Sequence, residues 1–219
     1  MKYSSIIFDL DGTLLDTLTD LAETGNEVLN QHNFPMHSLN AYKHFVGDGL
    51  AVLMQRITPP GTAEKVLRQC CTLFTELYSQ NWRRNSCPYA GINDMLSALK
   101  SRGITLTVLS NKPHEFTRHF VDEFFPEGLF AVVYGQRTGF AKKPDPAVAL
   151  QIAEECGTQP SEMIFVGDSA VDIRTGKAAG MATAGVSWGF RSVQELMENN
   201  ADLIVNSPLE LEKYVLSAF

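Results

Sequence analysis

Short apolar runs alternate with stretches of helical periodicity along most of the chain. Such runs, bounded by turn-forming residues, predict buried strands, whereas amphipathic stretches such as residues 146–156 predict helices. The strand-like runs are residues 6–8, 104–109, 130–134, 163–166, 182–187 and 203–205. Alternation of this kind predicts a parallel sheet with helices on both faces, so we expect a three-layer α/β fold.

One segment near the start of the chain interrupts this rhythm. Between residues 16 and 87 no convincing strand is found. Helical periodicity, broken by Pro and Gly, covers residues 18–31, 50–56 and 63–83. Because this segment leaves the core after the first strand and then returns to it, we expect it to lie over the carboxyl ends of the strands as a lid. The predicted domains are a core of residues 1–15 and 88–219 and an all-helical cap of residues 16–87.

Two carboxylates stand at the end of the first strand-like run. Asp9 and Asp11 follow residues 6–8 within the segment Asp-Leu-Asp-Gly-Thr. In extended backbone, residues two apart point to the same side, so the two carboxylates would share one face. Like charges this close raise the pKa of one group or recruit a cation. A divalent metal or a proton held by one carboxylate would relieve the repulsion, and either arrangement supplies chemistry.

Groups suited to an anion stand at two later places. Ser110 and Asn111 follow the run at 104–109, and their hydroxyl and amide hydrogens are suitable donors. Lys143 supplies a cation just before a predicted helix. Ligands of open parallel sheets bind at the carboxyl ends of the strands, so one pocket can gather these groups around Asp9.

A second pair of acids follows the run at 163–166. Asp168 comes directly after Gly167, and Asp172 follows one helical turn later. We expect Asp168 to cap the start of this helix and Asp172 to point back over the same end. Negative oxygens concentrated in this way suit a hard divalent cation.

Together these segments resemble the four motifs of the haloacid dehalogenase superfamily of hydrolases, in order from Asp9 to Asp172. The resemblance covers essentially the whole chain. It implies a Rossmann-like core with a helical cap of the C1 type inserted after the first motif. It also implies that the backbone carbonyl of Asp11 helps to bind Mg²⁺. Haloalkanoate dehalogenases lack the acid found here as Asp11, which favours a phosphatase.

Phosphoryl transfer is the chemistry that fits these residues. A phosphate monoester resists a negatively charged nucleophile, so a catalyst must neutralise the phosphate oxygens while aligning the attack. We expect Asp9 to attack phosphorus and form an aspartyl-phosphate, with Asp11 as general acid and base. The other expected roles are phosphate binding by Ser110, Asn111 and Lys143, catalytic charge compensation by Lys143, Mg²⁺ binding by Asp9, Asp11 and Asp168, and support of the metal site by Asp172.

Two further segments resemble phosphoglycolate phosphatases within the superfamily. They are residues 46–49 in the cap, Val-Gly-Asp-Gly, and residues 185–192 near the end of the chain. We therefore expect 2-phosphoglycolate as the substrate. Cap residues are expected to set specificity, and the candidates, which the sequence does not rank, are Lys43, His44, Asp48, Arg56 and Arg83.

Two alternatives remain open. Sugar phosphomutases of the β-phosphoglucomutase type share the acid at Asp11, but they resemble one another in a His of the first linker, and residues 16–22 contain none. A phosphate- and metal-responsive binding module without catalysis is the other alternative. Retention of Asp11 counts against it, because a binder needs no proton shuttle.

Composition limits the partners and the compartment. The 219 residues carry a formal charge of −7, and the 18 Lys and Arg residues form no obvious basic cluster in the sequence. Both features argue against nucleic-acid binding. No apolar stretch approaches the roughly 20 residues of a membrane span. The four cysteines show no Cys-x-x-Cys spacing, so reduced thiols and a cytoplasmic location are expected. The expected partner is a small anionic phosphate ester, and a monomer and a homodimer are not distinguished.

Overall fold

The computed structural model describes residues 3–217 and contains one six-stranded parallel sheet and one two-stranded antiparallel ribbon. The strands are β1 (Ser5–Phe8), β2 (Leu15–Asp16), β3 (Cys87–Pro88), β4 (Thr105–Pro113), β5 (Val132–Gln136), β6 (Met163–Gly167), β7 (Ala182–Val186) and β8 (Leu203–Val205). The large sheet has the order β5-β4-β1-β6-β7-β8, and the ribbon pairs β2 with β3. Because β1 lies between β4 and β6, the loops after three strands meet around the end of β1.

Helices cover both faces of the large sheet. They are α1 (Leu18–Gln31), α2 (Leu39–Phe45), α3 (Leu50–Ile57), α4 (Glu64–Asn81), α5 (Ile92–Ser101), α6 (His114–Phe124), α7 (Ala147–Glu155), α8 (Ala170–Ala178), α9 (Val193–Glu198) and α10 (Pro208–Ser217). Side chains alternate along β1: Ile6 packs in the cluster that contains Leu99 of α5, whereas Ile7 packs with Phe165 and with Ile152 of α7. The predicted three-layer α/β fold with a parallel sheet is thus confirmed.

Strand β4 differs from its prediction at one end. The expected strand ended at residue 109, but β4 continues to Pro113, and its register with β5 shifts between Leu109 and Pro113. Ser110 and Asn111 therefore lie in the irregular end of a strand and not in a loop. A bulge of this kind redirects side chains beside a site without ending the strand.

Helices α1 to α4 form the inserted helical unit, which we call the helical cap. The expected helices correspond to α1, α3 and α4, while α2 was not expected, because it is short and buries only Tyr42. The ribbon of β2 and β3 lies where the chain enters and leaves the cap, with Asp16 paired to Cys87. The predicted domain boundaries fall in this ribbon and remain a prediction. Residues 1, 2, 218 and 219 of the predicted core lie outside the described residues.

Within residues 3–217, none of the helices has both the length and the apolar character that crossing a bilayer requires.

Candidate active site

Asp9 stands at the carboxyl end of the central strand β1. Its backbone N–H donates to the carbonyl oxygen of Val166 in β6, 2.9 Å away, which fixes the residue between two strands. The side chain is buried. Burial raises the pKa of Asp9 to about 7, against the lowering effect of Lys143 and with a further rise from the Asp172 charge.

Lys143 joins Asp9 to the second pair of acids. Its Nζ lies 2.8 Å from Asp9 Oδ1 and 2.6 Å from Asp172 Oδ1. Burial alone would lower the pKa of Lys143, but the charges of Asp172 and Asp9 outweigh burial and raise it above its usual value. A fully buried ammonium is thus held between two carboxylates, as charge compensation by Lys143 requires.

The Asn111 side chain positions Lys143. Its Oδ1 accepts from the Lys143 N–H at 2.9 Å, and its Nδ2 donates to the Lys143 carbonyl at 3.1 Å. The same Nδ2 also donates to the carbonyl of Gly47 in the cap. Ser110, next to Asn111, is buried, and its Oγ accepts from the N–H of Lys112 at 3.1 Å. The predicted anion-binding residues therefore do lie beside Asp9 and Lys143.

Three buried carboxyl groups meet at one point. One oxygen each from Asp9, Asp168 and Asp172 lies within 4.8 Å of the others. Burial, followed by the charges of Asp172 and Asp9, raises the pKa of Asp168 well above its usual value. Lys143 is one cation against three acids, so it can balance only one of their negative charges when all three are ionised. Hard oxygen donors with excess negative charge fit a divalent cation such as Mg²⁺.

Asp168 is held in a narrow space between two glycines. Gly12 has a φ of +84°, and a Cβ added there would lie 2.3 Å from Asp168 Oδ2. A Cβ on Gly189 would lie 2.2 Å from the Asp168 Cβ. The Phe190 N–H donates to Asp168 Oδ2 at 2.6 Å, so the segment at 185–192 orients this carboxylate. Sequence reasoning missed this contact, since a backbone donor leaves no signal in the sequence.

The expected helix cap is wrong by one residue. Ser169, not Asp168, is the N-cap residue of α8, because the Asp168 carboxylate is held by Phe190. Asp172 does turn back over the helix start as expected. Its Oδ2 accepts from the Ser169 N–H at 3.1 Å and from the Ser169 Oγ at 2.6 Å.

The Asp11 side chain has partners that differ from those of Asp9. Its Oδ1 accepts from Thr17 Oγ1 at 2.7 Å and lies 2.9 Å from the Nζ of Lys112. Lys112 is only 7% exposed, and no role was expected for it. Its position in the sequence could have indicated a role in the site. Lys112 directly follows the anion-binding pair Ser110-Asn111 at the end of a buried strand, and a buried lysine must have a charged partner.

A cavity of about 60 Å³ lies between the core and the helical cap. The core lines it with Asp9, Asp11, Ser110, Asn111, Lys112, Pro113 and Phe116. The cap lines it with Leu21, Val46, Gly47, Gly49, Leu50, Leu53, Phe74 and Tyr78. Reactive groups thus face the cavity from the core, and apolar groups close it from the cap, so it can hold a small molecule away from bulk water.

Known proteins resemble this chain in sequence over most of its length. The family model for haloacid dehalogenase-like hydrolases matches residues 6–186. A phosphoglycolate phosphatase of Pseudomonas putida strain KT2440 is 31% identical over 206 residues, which cover 92% of this chain and 75% of that protein. The phosphoglycolate phosphatase of Vibrio vulnificus strain YJ016 is 31% identical over 217 residues, or 96% of this chain and 95% of its own length.

A solved structure extends the likeness to three dimensions. The crystal structure of a Lactobacillus delbrueckii subsp. bulgaricus protein, proposed to be a phosphoglycolate phosphatase, superimposes with a TM-score of 0.93 at 30% identity. The match covers 98% of this chain and 99% of the other. With a family match from β1 to the end of β7 and relatives aligned over nearly its whole length, the chain belongs to the haloacid dehalogenase-like hydrolases.

Proposed function

We propose that this hydrolase is a Mg²⁺-dependent phosphatase that cleaves a small phosphate monoester through an aspartyl-phosphate intermediate. One observation carries the proposal: the carboxylate of Asp9 lies at the end of β1, within 2.8 Å of the Lys143 ammonium and next to the oxygens of Asp168 and Asp172. Asp9, a nucleophile that lines the cavity, therefore lies beside a cation for the phosphate and a metal-binding set.

The donor set supports Mg²⁺ as the metal. The side chains of Asp9 and Asp168 would hold the ion together with the backbone carbonyl of Asp11, and Asp172 would support them from its bonds to Lys143 and Ser169. A bound Mg²⁺ neutralises phosphate oxygens and so makes phosphorus accessible to an anionic nucleophile.

The chain's own residues supply the remaining steps. Lys143, the Ser110 hydroxyl and the Asn111 backbone N–H bind the non-bridging phosphate oxygens. An Asp9 oxygen forms a bond to phosphorus as the bond to the ester oxygen breaks, and Asp11 gives its proton to that departing oxygen. Asp11 then takes a proton from a water molecule, whose oxygen attacks phosphorus and releases inorganic phosphate and free Asp9.

We propose 2-phosphoglycolate as the substrate and the cytoplasm as the compartment. The relatives named phosphoglycolate phosphatase align over almost the whole chain at about 31% identity. The cavity is small, which suits a two-carbon leaving group. The segment at 185–192, which resembles that subfamily, includes the Phe190 N–H that orients Asp168.

The decisive experiment measures turnover and the covalent intermediate together. Release of inorganic phosphate from 2-phosphoglycolate is followed with Mg²⁺ and with excess EDTA, and ³²P-labelled substrate is quenched in acid to trap phosphoprotein. We expect steady turnover that EDTA abolishes and Mg²⁺ restores, and acid-stable label on wild-type protein only. Asp9→Asn should show neither turnover nor label, whereas Asp122→Asn, an exposed control on α6, should behave as wild type.

Other outcomes separate the alternatives. Substantial turnover by Asp9→Asn would overturn the nucleophile assignment. Label that stops at one phosphate per protein would favour the binding module, and interconversion of glucose 1-phosphate and glucose 6-phosphate would favour a sugar phosphomutase.

A further inference from the structure

Lys112 presents a buried ammonium group at the wall of the cavity. Its Nζ lies 2.9 Å and 3.2 Å from the two carboxylate oxygens of Asp11 and donates to the Tyr78 hydroxyl at 3.1 Å. The same atom lies 4.9 Å from the centre of the Tyr78 ring and 4.4 Å from that of Phe120. Burying a lysine ammonium away from water costs free energy. The group therefore requires a permanent anionic partner.

Lys112 is the one Lys or Arg among the described residues that line the cavity. The other basic residues nearby are engaged elsewhere. Lys143 is held by Asp9 and Asp172, and Lys142 donates to the carbonyl of Asp48. The cap lines the cavity with uncharged residues only. A negative charge on the leaving group would therefore find its cation in the core, at Lys112.

We propose that Lys112 binds the carboxylate of the leaving group and thereby selects phosphate monoesters of short 2-hydroxy acids. This inference rests on the proposed phosphatase function, because it assumes that phosphorus lies at Asp9 and the ester oxygen at Asp11. It assigns to one core lysine the specificity that the sequence led us to expect of cap residues.

Distance supports this class of substrate. Asp11, which protonates the ester oxygen, is one hydrogen bond away from the Lys112 ammonium. In the ester of a 2-hydroxy acid, the carboxylate carbon is two bonds away from that same oxygen. The cavity of about 60 Å³ is several times the roughly 10–15 Å³ that holds one water molecule, which suits a short leaving group.

Exchange of partners makes the binding feasible. An ammonium has three N–H donors, and here they serve Asp11 and Tyr78. When the substrate carboxylate takes the place of Asp11, Lys112 keeps an anionic partner, and Asp11 keeps its hydrogen bond from Thr17. The exchange frees Asp11 to face the ester oxygen, so binding energy from the carboxylate end contributes to kcat as well as to KM.

The test compares two substrates that differ at the proposed contact. 2-Phosphoglycolate carries the carboxylate, and 2-hydroxyethyl phosphate replaces it with a neutral hydroxymethyl group of similar size. Wild-type protein should prefer 2-phosphoglycolate by about 10- to 100-fold in kcat/KM, as expected for a hydrogen bond between charged groups. Lys112→Met should reduce this preference to about one. Lys100→Met, which changes an exposed lysine of α5 that does not line the cavity, should retain the preference.

Each result has a distinct meaning. Equal use of the two esters by wild-type protein would overturn the role of Lys112 but leave the phosphatase function in place. Equal losses on both esters in Lys112→Met would overturn it too, and would mean that Lys112 only positions Asp11. Failure to release phosphate from any ester would overturn the proposed function itself.

A measurement on wild-type protein keeps the inference testable if Lys112→Met does not fold. Glycolate should inhibit the hydrolysis of p-nitrophenyl phosphate competitively, whereas ethylene glycol at the same concentration should not. Equal inhibition by the two compounds would contradict carboxylate binding at Lys112.

Discussion

The guanidinium of Arg191 in the core donates a 2.9 Å hydrogen bond to the carbonyl oxygen of Val46 in the helical cap. A second bond, of 2.6 Å, reaches the carbonyl of Lys43. Both carbonyls belong to the C-terminal end of α2, where backbone oxygens lack partners within the helix and attract cations. Lys142 adds a bond of 2.6 Å to the carbonyl of Asp48, so two core cations hold the loop after α2 over the cavity.

Replacement of Arg191 should weaken this closure. In Arg191→Met we expect kcat/KM for 2-phosphoglycolate to fall by about tenfold, because each charge-assisted hydrogen bond contributes roughly 1.5–3 kcal/mol and the cap can partly close without it. Steady-state kinetics measure the loss, and hydrogen exchange of residues 43–49 should accelerate. Arg174→Met, on the exposed side of α8, is the matched control. Unchanged exchange at residues 43–49 would show that Arg191 does not hold the cap.

Loss of Lys143 should expose the repulsion among the acids. Lys143→Met leaves Asp9 and Asp172 buried beside Asp168 without their cation, and breaking a buried pair in this way costs roughly 3–5 kcal/mol. We expect a lower thermal midpoint in EDTA and a turnover reduced by at least about 100-fold. Mg²⁺ should raise the midpoint of the variant more than that of wild type, because the added charge replaces the missing ammonium.

Differential scanning fluorimetry with and without Mg²⁺ checks this prediction. Lys100→Met, on the exposed side of α5, provides the control and should match wild type in both conditions. If Mg²⁺ shifted the variant and the wild type equally, the added charge of the metal would not replace the missing ammonium.

Asp20 anchors the point at which the chain returns from the cap. This buried residue of α1 accepts hydrogen bonds from the backbone N–H of Asn85 and of Ser86, and from the Ser86 hydroxyl at 2.6 Å. Asp20→Ala leaves these donors without an acceptor, so we expect a loss of roughly 3 kcal/mol in the free energy of unfolding. Urea denaturation measures it. Asp122→Ala, exposed on α6, should cost less than roughly 0.5 kcal/mol, and a similarly small cost at Asp20 would contradict the assignment.

The sheet and the residues around Asp9 could be predicted because both depend on local patterns. An apolar run predicts a strand even when the neighbouring strands are unknown. The carboxyl ends of parallel strands must then lie at one edge of the sheet. That rule is sufficient to bring Asp9, Ser110 and Asp168 together before any contact is known. The α/β class followed from the same alternation.

Contacts that depend on tertiary packing could not be predicted. Phe190 orients Asp168 through a backbone N–H, which any residue type would offer. Helix α2 buries only Tyr42 and so lacks the apolar stripe that reveals a longer helix. The sequence could not rank the candidate cap residues, because their contacts also depend on packing. Arg56 pairs with Asp48 and Arg83 with Glu123, and neither arginine lines the cavity.

Asp202 links stability to pH away from the site. Burial by itself raises the pKa of Asp202, but hydrogen bonds from Lys177 and from the side chain and backbone of Thr183 outweigh it and lower the pKa below its usual value. Since the folded pKa is depressed, the stabilisation is present above the unfolded pKa of about 3.9 and is lost as the pH falls through the folded pKa. The pair with Lys177 is partly exposed, which limits its contribution.

Asp202→Asn should therefore lower the free energy of unfolding by roughly 0.5–1 kcal/mol at pH 7, and the difference from wild type should shrink below about pH 4. Urea unfolding between pH 3.5 and 7 measures both quantities. Lys177→Met removes the same charge pair from the other side and should follow the same pH profile. A deficit in Asp202→Asn that stayed constant down to pH 3.5 would mean that hydrogen-bond geometry, and not the charge of the carboxylate, stabilises the junction between α8 and β7.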